Sequence, residues 1–167
     1  MKQIKQIALS VILTISAFGA VVYTSCNKDE CKDVVCQNGG TCTEGKCTCV
    51  TGYEGTNCET KSRDKFVGTY AGTEICTVGS DSYSVIVSAN SDAIKLTMTG
   101  LYNDPTAPYT AICSMIAVDS FSFSGSSSAS AAVVFSGTGK LTGNSLKITY
   151  TVTNGATSNS CVFTGTK

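Results

Sequence analysis

The chain has no histidine and no tryptophan, and its few charged residues cancel: 12 are basic and 12 are acidic. Histidine is the usual general base near neutral pH and the commonest metal ligand. Its absence removes Ser–His and Cys–His nucleophile pairs and most catalytic zinc sites, while Asp/Glu chemistry survives that exclusion. A nucleic-acid surface needs a concentrated cationic field, so no nucleic-acid partner is expected from a balanced chain. A sustained 3.6-residue apolar period is missing too, which leaves little for helix to be built on.

Cysteine is what the chain has in excess: ten in 167 residues. That density implies an oxidising compartment. The N-terminus agrees. Lys2 and Lys5 precede an apolar run from Ile7 to Val22, followed by Thr24, Ser25 and Cys26. Charged, apolar and small in that order is the layout of a secretory signal. The run covers 16 residues, whereas a spanning helix needs about 20, so a permanent anchor is the weaker reading.

Thr24-Ser25-Cys26 at the end of the apolar run resembles the lipobox of bacterial lipoproteins, with Tyr23 where Leu is usual. The resemblance implies cleavage after residue 25, so that residues 1–25 are signal peptide, and acylation of Cys26. Several acyl chains on one residue anchor stably, since each buried CH2 contributes about 0.8 kcal/mol and one chain alone is marginal. The alternative is that Cys26 is an ordinary disulfide partner. Asn27-Lys28-Asp29-Glu30 resembles the surface-export signal of Bacteroidetes lipoproteins, or is simply a solvated linker. Together these features imply lipid anchoring in an outer membrane, with the membrane as partner through Cys26 and the protein facing outward.

Six cysteines follow with the spacing C-x4-C-x5-C-x4-C-x1-C-x8-C, from Cys31 to Cys58. Gly39-Gly40, Gly52-Tyr53 and Gly55 sit among them. Six cysteines allow 15 pairings, and spacing alone does not choose. Residues 27–59 resemble the epidermal-growth-factor-like family, and the resemblance implies Cys31–Cys42, Cys36–Cys47 and Cys49–Cys58. About 30 residues cannot bury enough apolar surface to fold unaided, so a stapled fold is physically required. Some family members bind Ca²⁺ through acids before the first Cys, where Asp29 and Glu30 stand. The further Asn/Asp and aromatic of those members are missing, so no cofactor is expected, with calcium as the minor alternative. Spacing and protein contact are the usual roles of such a module.

Residues 60–65 are polar and read as a linker. Beyond them the pattern changes to period two. Ile94, Leu96 and Met98 alternate with polar residues, as do Leu146, Ile148, Tyr150 and Val152. Clean alternation means one apolar and one wet face, hence antiparallel sheet. About eight runs are expected, near 66–75, 82–89, 93–99, 109–117, 120–124, 131–139, 145–153 and 160–166. They make a meander over residues 66–167, closed as a barrel or flattened as a sandwich. Turn cues such as Gly143-Asn144 and Asn154-Gly155 separate them.

Phe66-Val67-Gly68-Thr69-Tyr70, Leu101-Tyr102-Asn103 and Phe135-Ser136-Gly137-Thr138-Gly139 resemble the lipocalin-like β domains of Bacteroidetes lipoproteins. In a calycin-type barrel the first and last strands are neighbours. Cys76 shares parity with Phe66 and Tyr70, and Cys161 with Phe163, so Cys76–Cys161 is the expected bridge. Cys113–Cys161 and Cys76–Cys113 are the alternatives, and Cys113 otherwise reads as a small buried hydrophobe.

No catalytic residue is expected. Asp64, Asp81, Asp92, Asp104 and Asp119 sit in or beside turns, where Asp is favoured for local hydrogen bonding. Glu74 is the exception, inside a strand. Gly137-x-Gly139 precedes strand rather than helix and is no dinucleotide fingerprint. The chain therefore reads as mainly β: a small disulfide-rich EGF-like module plus an antiparallel meander. The expected function is a non-enzymatic surface lipoprotein whose β domain binds an extracellular protein or glycan. A carrier of a small apolar ligand is the alternative, requiring an empty chamber above roughly 300 Å³.

Overall fold

The computed structural model describes residues 29–103, 109–126 and 133–167. Cys26 and the signal segment lie outside them. The cysteine module contains two small hairpins. One joins β1 (Thr41–Thr43) to β2 (Lys46–Thr48), and the other joins β3 (Tyr53–Glu54) to β4 (Thr60–Lys61). A short 3-10 helix, Ser62–Phe66, leads into the β domain. Residues 60–65, linker-like in sequence, thus divide between the strand Thr60–Lys61 and the 3-10 helix that starts at Ser62.

The β domain is a closed barrel of eight antiparallel strands. They are β5 (Gly68–Cys76), β6 (Ser80–Ala89), β7 (Lys95–Leu101) and β8 (Tyr109–Ala117), then β9 (Ser120–Ser126), β10 (Val133–Thr142), β11 (Ser145–Asn154) and β12 (Thr157–Thr166). Each pairs with its sequence neighbours, and β12 returns to β5 to close the ring. The expected β domain is this barrel; the sandwich option falls away. Two ends differ from the sequence reading. Phe66 belongs to the 3-10 helix rather than to the first strand. The last strand begins at Thr157, because a two-residue turn at Gly155-Ala156 continues the ladder through Thr157-Ser158-Asn159. That polar stretch has no apolar alternation to reveal it.

Inward residues form one core. Tyr70, Val85, Leu96, Met98, Phe121, Leu146, Ile148 and Phe163 are fully buried. Outward residues are mostly Ser, Thr and Lys, such as Thr73, Ser136, Thr138, Lys140, Lys147 and Thr149. A membrane-spanning barrel shows lipid an apolar outside; this polarity is the reverse, and the barrel wall belongs in water.

Inward glycines make room for the large rings. A Cβ on Gly139 would lie 2.2 Å from the Phe121 ring, and one on Gly137 would lie 2.4 Å from Tyr150 Cβ. Each glycine stands directly across the ladder from the ring that it admits. Small beside large is how a barrel this narrow fills its interior.

The two ends of the barrel are unlike. At one end the 3-10 helix is a plug. Phe66 meets Phe121 edge-on at 5.5 Å, and Tyr70 Oη donates to the Phe66 carbonyl at 2.8 Å. The Arg63 guanidinium, nearly buried, donates to the carbonyls of Asn90, Asp92 and Lys95. Three backbone acceptors of the β6–β7 turn are thereby satisfied by one side chain. The cysteine module rests at this end: Gly52 lies against Ile94, its carbonyl accepts from Ser62 N–H at 2.9 Å, and Glu54 pairs with Lys65 at 2.9 Å. The opposite end, where β5 turns into β6 and β11 into β12, is the mouth.

Candidate functional site

Strand parity on β5 sends Tyr70, Gly72, Glu74 and Cys76 into the barrel. Glu74 is only 4% exposed and lies near the mouth. Two phenols from other strands meet it. Tyr83 on β6 donates to Glu74 Oε1 at 2.5 Å, and Tyr150 on β11 donates to the same oxygen. Tyr83 Oη in turn accepts from Tyr102 N–H at 3.0 Å, and its ring lies 5.1 Å from that of Phe163. A buried carboxyl is tolerable only when hydrogen-bonded, and these phenols meet that need.

Asp81 faces Glu74 across the β5–β6 ladder but stands in solvent at the rim. Its carboxylate accepts from the Asn103 amide and from Ser82 N–H. Those bonds, the Asn103 one foremost, hold its pKa below the ordinary aspartate value. Tyr102 and Asn103 both have left-handed backbone, at φ 67° and 36°, which non-glycine residues seldom adopt. Their bonds to Tyr83 and Asp81 fix that turn over the mouth. The result is a cavity of about 210 Å³ lined by Glu74, Cys76, Ser80, Asp81 and Tyr102 among others.

The sulfurs fall as follows. Cys31 is bonded to Cys42, Cys36 to Cys47 and Cys49 to Cys58. Cys76 on β5 is bonded to Cys161 on β12, across the seam that closes the barrel and beside Glu74. Glu74, Cys76 and Cys161 place three donor atoms within 4.8 Å of one another, yet the two sulfurs are spent on each other and offer no thiolate. Cys113 on β8 is buried and free, and burial pushes its thiol up to about 12. It is an inert core group rather than a nucleophile.

Asp29, Glu30 and Glu44 line an open groove on the cysteine module. Among the described residues they do not form a set of three converging carboxylates. Asp64, Asp92 and Asp119 lie towards the plugged end and pair with Arg63, Lys95 and Lys140. Asp104 lies outside the described residues. Among the described acids of the barrel, Glu74 and Asp81 share a cavity, one buried and one exposed.

No protein-family model matches the chain, and no curated protein matches it. A crystal structure at 2.40 Å of a candidate outer membrane protein from Bacteroides fragilis is similar, with 20% identity and a TM-score of 0.42. The match covers 64% of this chain and 52% of that one, so the chain spans about half the length of the structure it resembles.

The buried phenols set an alkaline limit. Burial raises the pKa of Tyr70 and Tyr109 from the ordinary 10.0 to about 12, with the Cys113 thiol adding to the rise at Tyr109. Tyr83 and Tyr150 are also raised, first by burial and then by their bonds to Glu74. A group whose folded pKa is raised contributes stability that is complete below the unfolded value and is lost as pH climbs through the folded one. The fold should therefore hold to about pH 10 and unfold cooperatively towards 12, with phenolate absorbance and loss of β circular dichroism rising together. Tyr70, Tyr83, Tyr109 or Tyr150 titrating near 10 in an intact barrel would contradict the packing described.

Proposed function

We propose that this chain is a non-enzymatic lipoprotein of the outer-membrane surface. In this reading Cys26 carries the lipid, the EGF-like module spaces or contacts, and the lipocalin-like barrel is a binding domain for an extracellular protein or glycan. The supporting observation is the opposition of the two barrel ends. The cysteine module, which follows the anchor in sequence, rests on the plugged end through Gly52 and Glu54. The mouth, with Glu74, Asp81 and Tyr102, lies at the other end. A protein tethered through Cys26 then points its mouth away from the membrane.

The interior argues for a surface binder over a carrier. Tyr109 stacks on Phe135 with centroids 3.9 Å apart, and Phe123, Tyr150 and Phe163 fill the adjoining space. The mouth cavity, about 210 Å³, falls short of the roughly 300 Å³ at which ligand-engulfing sites begin, and its lining mixes polar and apolar groups.

Replacing Cys26 by Ala tests the anchor. Wild-type protein should fractionate with membranes, incorporate labelled fatty acid, and be shaved from intact cells by protease. Cys26→Ala should lose the label and move to the soluble fraction. A variant that stays membrane-bound would sink the proposal.

A further inference from the structure

We infer that Asn154, at the turn from β11 to β12, is a site of self-modification, where water replaces the side-chain amide by way of a cyclic imide. The inference goes beyond the anchoring and binding proposed above and does not depend on them. The chain holds two Asn-Gly pairs, Asn38-Gly39 and Asn154-Gly155. Glycine is the neighbour that this chemistry favours, because no side chain shields its backbone nitrogen and its backbone turns freely. That nitrogen attacks the asparagine Cγ. The N–Cγ bond forms, the Cγ–Nδ2 bond breaks, and ammonia leaves with the proton given up by the backbone nitrogen. Water then opens the imide. Opening at the Cγ carbonyl yields aspartate; opening at the backbone carbonyl yields isoaspartate, whose chain runs through Cβ and Cγ. No oxidant or reductant takes part.

The fold treats the two pairs differently. Asn38 Nδ2 donates to the Cys58 carbonyl at 2.7 Å, and Cys58 is fully buried and bonded to Cys49. The leaving amide is thereby held within the stapled module, whose turn is closed from Gly40 N–H to the Gln37 carbonyl at 2.9 Å. At the other pair, Asn154, Gly155, Ala156 and Thr157 are all exposed. Among the described residues no partner holds the Asn154 amide; its main-chain carbonyl accepts from Thr157 Oγ1 at 2.9 Å. The β11–β12 ladder ends at the pair Asn154–Thr157, so the attacking Gly155 nitrogen lies beyond it. The product adds a carboxylate to the end of the barrel that holds Glu74 and Asp81. As isoaspartate it also lengthens the backbone at the last ladder pair, which loosens the tip of the hairpin.

The test is to hold the folded, disulfide-intact protein in warm, mildly alkaline buffer and follow it by peptide mapping and ammonia release. Mapping separates the asparagine, aspartate and isoaspartate forms of each peptide. Asn154 should convert at least about tenfold faster than Asn38, since small differences in the placing of attacker and target dominate such intramolecular steps. Isoaspartate should appear beside aspartate, and the rate should rise with pH because the nitrogen must lose its proton. Asn154→Gln, exposed and one methylene longer, needs a larger ring and should abolish most of the ammonia release while leaving the barrel transition unchanged. In reduced, unfolded protein the two pairs should react at comparable rates. Equal rates in the folded protein, faster conversion of Asn38, or an Asn154 that stays intact would each overturn the inference. So would a preference for Asn154 that persists in the unfolded chain, because the selectivity would then come from sequence and not from the fold. None of these results bears on membrane anchoring through Cys26.

Discussion

Cys36→Ala/Cys47→Ala protein should lose the whole fold of the cysteine module while its barrel melts as before. The module has almost nothing else to hold it. From residue 29 to 61 the one fully buried apolar side chain is Cys58; Val35 is 75% exposed and Val50 is 44% exposed. Its two hairpins contain three- and two-residue strands, too short to persist alone. Removing a native disulfide from a small secreted domain costs about 2–5 kcal/mol, more than this module's packing can supply. Limited proteolysis should cut the variant between residues 31 and 58 and leave the barrel resistant, with an unchanged barrel transition by near-ultraviolet circular dichroism. A module that stays protected without this bridge would mean that its stability comes from contacts not apparent in its burial.

The second large effect is expected at Gly72. A Cβ there would lie 2.2 Å from the Thr164 carbonyl oxygen and 2.4 Å from Gly165 Cα. Both are backbone atoms of β12, and Gly72 stands opposite Gly165 in the ladder. Side chains can rotate away from a clash; paired backbone cannot without parting the strands. β5–β12 is the seam that makes the sheet a barrel, so parting it also opens the core around Tyr70 and Phe163. Overpacking in a filled core costs typically about 1–3 kcal/mol, and Gly72→Val should reach or exceed the upper end. Ala71→Ser, on the exposed face of the same strand, should stay within about 0.5 kcal/mol. Chemical denaturation of both variants checks this, and similar midpoints would refute the tight-seam account.

Why Gly72 matters was hidden in the sequence, and the reason is general to this fold. Alternation made the strands legible, because a half-buried strand must repeat every two residues. Gly137 and Gly139 were readable as strand glycines, but their purpose was not: it depends on the register that sets them opposite Tyr150 and Phe121. Glu74 stood out as an acid inside a strand. Its partners did not, because Tyr83 and Tyr150 looked like ordinary inward residues of their own strands. Asp81 read as turn chemistry, and only the pairing of β5 with β6 brings it opposite Glu74. Arg63 was hidden most completely. A lone arginine in a polar hexapeptide looks solvated, and nothing local signals that three carbonyls some 30 residues away await it. Periodicity reports which way a residue faces; the site is made of which strands meet.

The most direct test of the central claim, an exported and oxidised chain held at the membrane through Cys26, is a thiol count on membrane-extracted protein, denatured without reductant. The chain has ten cysteines; eight are bridged and Cys113 is free. With Cys26 acylated, one reactive thiol should be found, mapping to Cys113. A second thiol at Cys26 would contradict the anchor, and seven or more would contradict the oxidised framework itself.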